Sequence, residues 1–354
     1  MNWTVFLLPL LAALLAVACN VLVIRNARNW RLLDKPNHRS SHVQPTPSGG
    51  GIGLALAGMV TGLFIVWQAD WAVGAKVLAF SAVLALVSFL DDLRPMRASL
   101  RLGTQAAMGA GLLLLLGGIP EIERFLNAYF SRSLIYLALL LVIVWWINLF
   151  NFMDGIDGLA GAQAVFMLVA GAALLTWLNP AFLGSPVWLW MVCVAGATGG
   201  FLLLNWSPAK IFMGDVGSIY LAFTILALAL LSIRNDWIPV LSGLVMWTIL
   251  GAVFVTDATV TLLVRAFAGQ RWYEAHRNHA YQRLSRKWGR HSPVAVLFAS
   301  VNCLWLLPLA AACIVAPQWS AVWFALAYAP LALAAWLLGA GKPDDALSTA
   351  HKPS

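Results

Sequence analysis

Apolar residues recur along this chain in long runs, each closed by a short cluster of charged, glycine or proline residues. The runs come close to the ~20 residues that a helix needs to cross the hydrocarbon core of a bilayer. The pattern predicts about eleven transmembrane helices (10–11), near 4–24, 49–68, 72–90, 102–118, 133–150, 158–178, 187–204, 216–233, 238–264, 294–315 and 319–339. The ninth run is long enough to tilt or to project beyond the bilayer. The expected fold class is therefore an all-α polytopic integral membrane protein. About 1–339 form a single membrane-embedded domain, and about 340–354 form a short polar tail.

Composition supports the pattern. Of 354 residues, 61% are hydrophobic and 10% charged, against about 25% charged in soluble domains, which excludes an ordinary globular enzyme and a disordered chain. The net charge of +8 raises nucleic acid as a partner, but the bases sit between apolar runs. They read instead as a topology signal and as a surface for anionic lipid or phosphorylated substrate, with no nucleic acid partner. Arg25, Arg28, Arg31, Lys35 and Arg39 follow the first run, Arg94, Arg97 and Arg101 the third, Lys210 the seventh, and a further group runs from Arg265 to Arg290. The alternate loops carry only Arg124, Arg132 and Arg234. The positive-inside rule then predicts a periplasmic N-terminus and a cytoplasmic C-terminus and tail, in the cytoplasmic (inner) membrane. Cys19, Cys193, Cys303 and Cys313 form no CxxC pair and read as small hydrophobes.

The acids are as asymmetric as the bases. Asp34, Asp91, Asp92, Asp154, Asp157, Asp215, Glu274, Asp344 and Asp345, with all 6 histidines, fall on the predicted cytoplasmic side. Loops near 25–48, 91–101, 148–158, 205–218 and 265–293 thus gather the polar chemistry at about one membrane boundary. Adjacent carboxylates Asp91 and Asp92 repel, so they require a cation or a proton between them. Asn148, Asn151 and Asp154 are spaced to share a helix face, and Gly155 and Gly158 allow a turn whose amides approach a ligand. Such oxygen donors suit Mg²⁺, while Asp157 also fits an N-cap. Gly214-Asp215-Val216-Gly217-Ser218 opens the eighth run, where a carboxylate can hold a metal or cap the helix. In the last loop Arg277 and Arg283 flank His279 as an anion grip. Arg39 and His42 lie in a segment whose prolines and glycines forbid a continuous helix. Asp257 is the acid within a long apolar run and is read as structural support ahead of catalysis.

Taken in order, these clusters resemble the polyprenyl-phosphate N-acetylhexosamine-1-phosphate transferases. The resemblance rests on Asp91-Asp92, on Asn148-xx-Asn151-xx-Asp154-Gly-x-Asp157-Gly, on Gly214-Asp215-x-Gly-Ser and on the His/Arg loop, and it runs from Asp34 to Arg283. It implies transfer of an N-acetylated sugar-1-phosphate from a UDP-N-acetylsugar to a polyprenyl (undecaprenyl) phosphate, with release of UMP and with Mg²⁺, or Mn²⁺ in its place. By the same likeness Asn151 and Asp215 would hold the metal. Asp91 and Asp92 would engage the lipid phosphate or second the metal, and Asp154 and Asp157 would complete a polar catalytic floor. Arg39, His42, Arg101, Asn148, Arg277 and His279 would bind substrate, and a homodimer is compatible with the chain. The family commonly carries His-x-His-His in the last loop, where this chain has His279-Ala280-Tyr281-Gln282. That variant resembles the O-antigen-initiating branch, which uses UDP-N-acetyl-aminodeoxysugars, and argues against the peptidoglycan branch. The main alternative is an ion-coupled secondary transporter. Such proteins place ionisable groups near mid-bilayer and often show repeated halves, unlike this chain.

Overall fold

The computed structural model describes residues 4–30, 32–34, 45–234, 237–271 and 276–343. Its spans are α1 (Thr4–Asn26), α2 (Gly50–Gln68), α3 (Ala72–Leu93), α4 (Ala98–Leu116), α6 (Arg132–Phe152), α7 (Leu159–Leu178), α8 (Pro186–Asn205), α9 (Gly214–Ser232) and α15 (Ser320–Leu337), the bent pair α10 (Val240–Leu250) and α11 (Ala252–Phe267), and the interrupted pair α13 (Ser292–Val301) and α14 (Leu307–Val315). Two short helices lie between spans, α5 (Pro120–Leu126) and α12 (Ala280–Trp288). A two-residue antiparallel ladder pairs β1 (Leu33–Asp34) with β2 (Thr46–Pro47). Among the described residues, ten helical stretches are long and apolar enough to cross a membrane, and the bent pair makes eleven. The predicted number of spans and the all-α class hold.

The centre of the bundle is α9, the most enclosed of these spans, which packs against α2, α3, α6, α7 and α8. Lipid tails give helices no hydrophobic drive to associate, so close packing has to come from small residues. The α1–α8 crossing shows this: a Cβ on Gly196 or Gly200 would stand 2.4 or 2.3 Å from the carbonyl oxygens of Pro9 and Ala13. Neither residue can carry a side chain at that separation.

The ninth span departs from expectation. It is a pair of helices that meet at 70°, not one long tilted helix. At the joint, the Phe254 N–H donates to the Gly251 carbonyl instead of Leu250. The released Leu250 carbonyl accepts from Gln163 Nε2 of α7 at 2.9 Å. Gln163 Oε1 in turn accepts from Asn302 Nδ2 at 2.6 Å. Asn302 opens a five-residue π-helical turn, Asn302–Leu306, ahead of Pro308, which has no N–H to donate. Non-helical carbonyls at membrane depth survive only when a neighbouring group bonds them, and here Gln163 does so, itself held by Asn302.

Candidate active site

The tight seat of α9 begins the site. Gly50 and Gly51 N–H donate to the carbonyls of Phe212 and Met213, both at 2.8 Å, and Phe212 N–H returns a bond to Pro47 O at 2.8 Å. A Cβ on Gly51 would lie 2.1 Å from Gly217 N, so backbone meets backbone where α2 and α9 start. The glycines near residue 50 therefore admit the protein's own chain. Gly214 has φ +72, a left-handed conformation that glycine adopts without strain. The turn it makes presents the N-terminal amides of α9 outward.

Asp92 meets those amides. Its carboxylate crosses from the end of α3 and accepts from the backbone N–H groups of Asp215 and Val216. The cap of α9 is thus supplied by another helix, since Met213, at the N-cap position, makes no side-chain bond. Asp215 is freed from capping and points into the site, with Asn151 as its side-chain hydrogen-bond donor. Asn151 Oδ1 accepts from Ser218 Oγ at 2.8 Å, which fixes which end of the amide faces Asp215.

The two adjacent carboxylates divide their roles. Asp91 turns the other way: its Oδ1 accepts from Met96 N at 2.6 Å and its Oδ2 from Arg101 Nη1 at 2.8 Å. Arg101 also lies 3.6 Å from Asp215 Oδ2, so one guanidinium spans the carboxylates of two helices. That cation answers the repulsion expected of the pair.

On α6, Asn148 is directed to α4, where its Nδ2 donates to Gln105 Oε1 at 2.6 Å, and it also donates to Val144 O of its own helix at 2.8 Å. Helix α6 ends at Phe152, and Asp154 follows on the turn. Burial, then the negative charges of Asp215, Asp157 and Asp92, hold the Asp154 carboxyl well above the usual carboxylate range. This mutual influence marks the convergence of Asp92, Asp154 and Asp215 on one place. Asp157 is a different case. Burial would raise its pKa, but the hydrogen bond and charge of His291, with bonds from Ala209 N–H and Ser207, outweigh burial and lower it. His291 Nδ1 lies 3.1 Å from Asp157 Oδ1, and Ala209 N donates to Oδ2 at 3.2 Å. Asp157 therefore clamps three segments together and does not cap α7, whose N-cap is Gly158. Gly158 N–H donates to Asn205 Oδ1 at 2.9 Å, and Asn205 Nδ2 donates to Ile211 O at 2.9 Å, so one amide sews the two loops.

The last loop leans on Asp257. Its carboxylate accepts from Ala280 N and Tyr281 N, both at 2.9 Å, and capping α12 this way is the structural role expected of it. His279 is buried, its Nδ1 3.3 Å from Asp257 Oδ1, and its ring stacks between His276 and Tyr281 at centroid distances of 4.9 and 5.6 Å. His276 is kept neutral: burial, then the His279 and Arg265 charges, take it down to about 3. The Arg277 carbonyl accepts from Arg286 Nη1 at 2.9 Å. Arg39 and His42 lie outside the described residues.

The structure brings together Asp91, Asp92, Arg101, Asn151, Asp154 and Asp215, with Asp157 behind them and His279 and Asn148 turned to internal partners. Sequence reasoning assigned no role to Gln105, Asn205 or His291, and quoted Ser218 and Tyr281 within motifs without giving either one a task. Asn205 carried a readable signal, an amide closing an apolar run. Among the described residues no three His, Cys, Asp or Glu side chains form a ready-made metal cage. The donors at the centre are nonetheless hard oxygens with more negative charge than Arg101 balances. They fit a Mg²⁺ ion that keeps waters and borrows substrate oxygens.

Comparison with known proteins places the chain in a family. A family model described as Glycosyl transferase family 4 matches residues 75–233, which contain the site from Asp91 to Asp215. The phospho-N-acetylmuramoyl-pentapeptide-transferase of Mycobacterium sp. (strain JLS) is 33% identical over 276 residues, covering 66% of this chain and 73% of that protein. The same enzyme of Mycobacterium leprae (strain TN) is 30% identical over 274 residues, with 66% and 73% covered. The probable undecaprenyl-phosphate N-acetylglucosaminyl 1-phosphate transferase of Bacillus subtilis (strain 168) is 27% identical over 288 residues, covering 79% of this chain and 76% of its own.

Proposed function

Since the chain belongs to the polyprenyl-phosphate hexosamine-1-phosphate transferases of glycosyl transferase family 4, we propose that it moves an N-acetylated sugar-1-phosphate from a UDP-sugar to undecaprenyl phosphate and releases UMP. The observation that carries this reading is the convergence of Asp92, Asn151, Asp154, Asp215 and Arg101. A separate apolar cavity of about 420 Å³, lined by Trp146, Leu149, Met167 and Trp247 among others and by none of these polar side chains, offers room for a hydrocarbon chain.

The reaction exchanges one phosphoanhydride for another, so catalysis is mostly positioning and charge neutralisation. A phosphate monoester has its second pKa near 6, so the lipid phosphate is its own nucleophile at neutral pH. No strong base is required, and burial holds the Asp154 carboxyl well above the usual carboxylate range. Direct in-line attack follows, and a phosphorylated aspartate trapped in a single turnover would overturn it. Mg²⁺, or Mn²⁺ in its stead, supplies charge neutralisation on the donor diphosphate when bound. Asn151 and Asp215 are the residues to hold it, because Asn151 Oδ1 has a second lone pair beyond the one Ser218 uses. Arg101 orients phosphate oxygens with its remaining N–H groups.

The O-antigen-initiating branch is the finer proposal, and the Ala280-Tyr281-Gln282 sequence of the last loop supports it. The relatives above include both phospho-N-acetylmuramoyl-pentapeptide and N-acetylglucosaminyl 1-phosphate transferases. A site facing the cytoplasm is supported by the basic loops on its side of the bundle. The deciding experiment incubates purified protein with undecaprenyl phosphate, Mg²⁺ and a panel of UDP-N-acetylsugars, and measures UMP. Release with one sugar is expected. Absence of UMP with every donor would sink the reading.

A further inference from the structure

Tyr281 is fully buried although it sits on α12, outside the spans. Its hydroxyl donates to the Phe152 carbonyl at 2.9 Å and accepts from the Gly155 N–H and from the Gln282 side chain. Phe152 and Gly155 are the two ends of the turn that carries Asp154. A Cβ on Gly155 would stand 2.1 Å from the Tyr281 hydroxyl, so nothing separates the ring from that turn. The tyrosine is itself held from below: Asp257 accepts its N–H and that of Ala280, and so fixes where α12 begins.

We infer that Tyr281, anchored through Asp257, is a positioning residue that staples the Phe152–Gly155 turn and thereby sets where Asp154 stands relative to Asn151 and Asp215. The inference rests on the transferase reading for its kinetic consequence only. The staple explains why a bulky aromatic occupies the interior of a polar loop: a hydroxyl that donates to one end of a turn and accepts from the other fixes its width. It also gives the buried Asp257 a function in the reaction without any contact with substrate.

The test uses the full-length protein in detergent and the variants Tyr281→Phe, Gly155→Ala and both together. Misplacement by ~1 Å costs about 10²-fold in rate. Tyr281→Phe should therefore lower kcat about tenfold or more and raise the Mg²⁺ concentration at half-maximal rate, with the KM for undecaprenyl phosphate nearly unchanged. Hydrogen exchange of the 151–158 segment should quicken while the spans stay protected. Gly155→Ala should be far more damaging alone than in the Tyr281→Phe background, where the clashing oxygen is gone. Wild-type kcat, Mg²⁺ dependence and exchange in Tyr281→Phe would overturn the inference, as would rate losses that simply multiply in the double variant. If the wild type releases no UMP with any donor, the transferase reading fails by itself, and the exchange measurement still decides whether the staple exists.

Discussion

Replacing Gly51 with alanine tests how the site is seated without touching a charged group. The new Cβ would stand 2.1 Å from Gly217 N, 2.4 Å from Gly217 Cα and 2.8 Å from Met213 O. All three are backbone atoms, so no side chain can swing aside. Carbon needs about 3.5–4.0 Å from such neighbours, so the starts of α2 and α9 must part by about 1.5 Å. That shift pulls on the hydrogen bonds from Gly50 and Gly51 to Phe212 and Met213, and it moves the amides that Asp92 holds. Overpacking of this kind costs about 1–3 kcal/mol. A displacement above 1 Å at Asp92 and Asp215, the carboxylates proposed for the reaction, should cost about 10²-fold in rate. UMP release by purified Gly51→Ala should fall by that factor, with a lowered melting temperature in detergent and an intact yield from membranes. Gly199→Ala is the control, because nothing lies within 4 Å of its Cβ, and its activity should stay within about twofold. Near-wild-type turnover by Gly51→Ala, or equal damage by Gly199→Ala, would refute the argument from close approach.

Other outcomes follow from the same geometry. Asp215→Ala should abolish UMP release by about 10²-fold or more while the protein still inserts, since it removes a carboxylate at the reacting centre; measurable turnover near wild type would remove the metal assignment. Arg101→Gln leaves Asp91 and Asp215 without their shared cation and should lower kcat/KM for both substrates about tenfold, read in the same assay. The lowered Asp157 carboxyl contributes stability that is complete above the ordinary value near pH 3.9 and is lost as pH falls through its folded-state value. In His291→Ala burial is opposed only by the Ala209 and Ser207 bonds and that value rises, so melting temperatures across an acid series should begin to drop at a higher pH than in the wild type. Coincident curves would show that His291 does not govern Asp157.

The spans were legible because a bilayer asks one question of a helix, and long apolar runs answer it. The joint at Gly251 was not, because hydropathy is blind to where a carbonyl finds its donor, and Gln163 and Asn302 are distant in sequence. Helix α12 hid in a loop read only for charge, although His279 with Gln282 forms a capping box and Gly289 closes the helix. Asp91 and Asp92 illustrate the limit at the site. Their adjacency announced electrostatic strain, but only the fold separates one toward Arg101 and the other toward the α9 amides. His279 was visible as chemistry, yet its burial depends on Asp257, which lies 22 residues away.

The broken ninth span is a knuckle with a bolt through it. Trp247, Gly251 and Val255 on its two limbs form part of the cavity wall, and the Leu250–Gln163–Asn302 chain ties three different crossings at that bend. A leucine in place of Gln163 would leave a carbonyl stranded in oil, and the cheapest remedy for the chain is to straighten. Such a variant would keep its number of crossings and its carboxylates, and would lose the apolar cavity that the bend helps to wall.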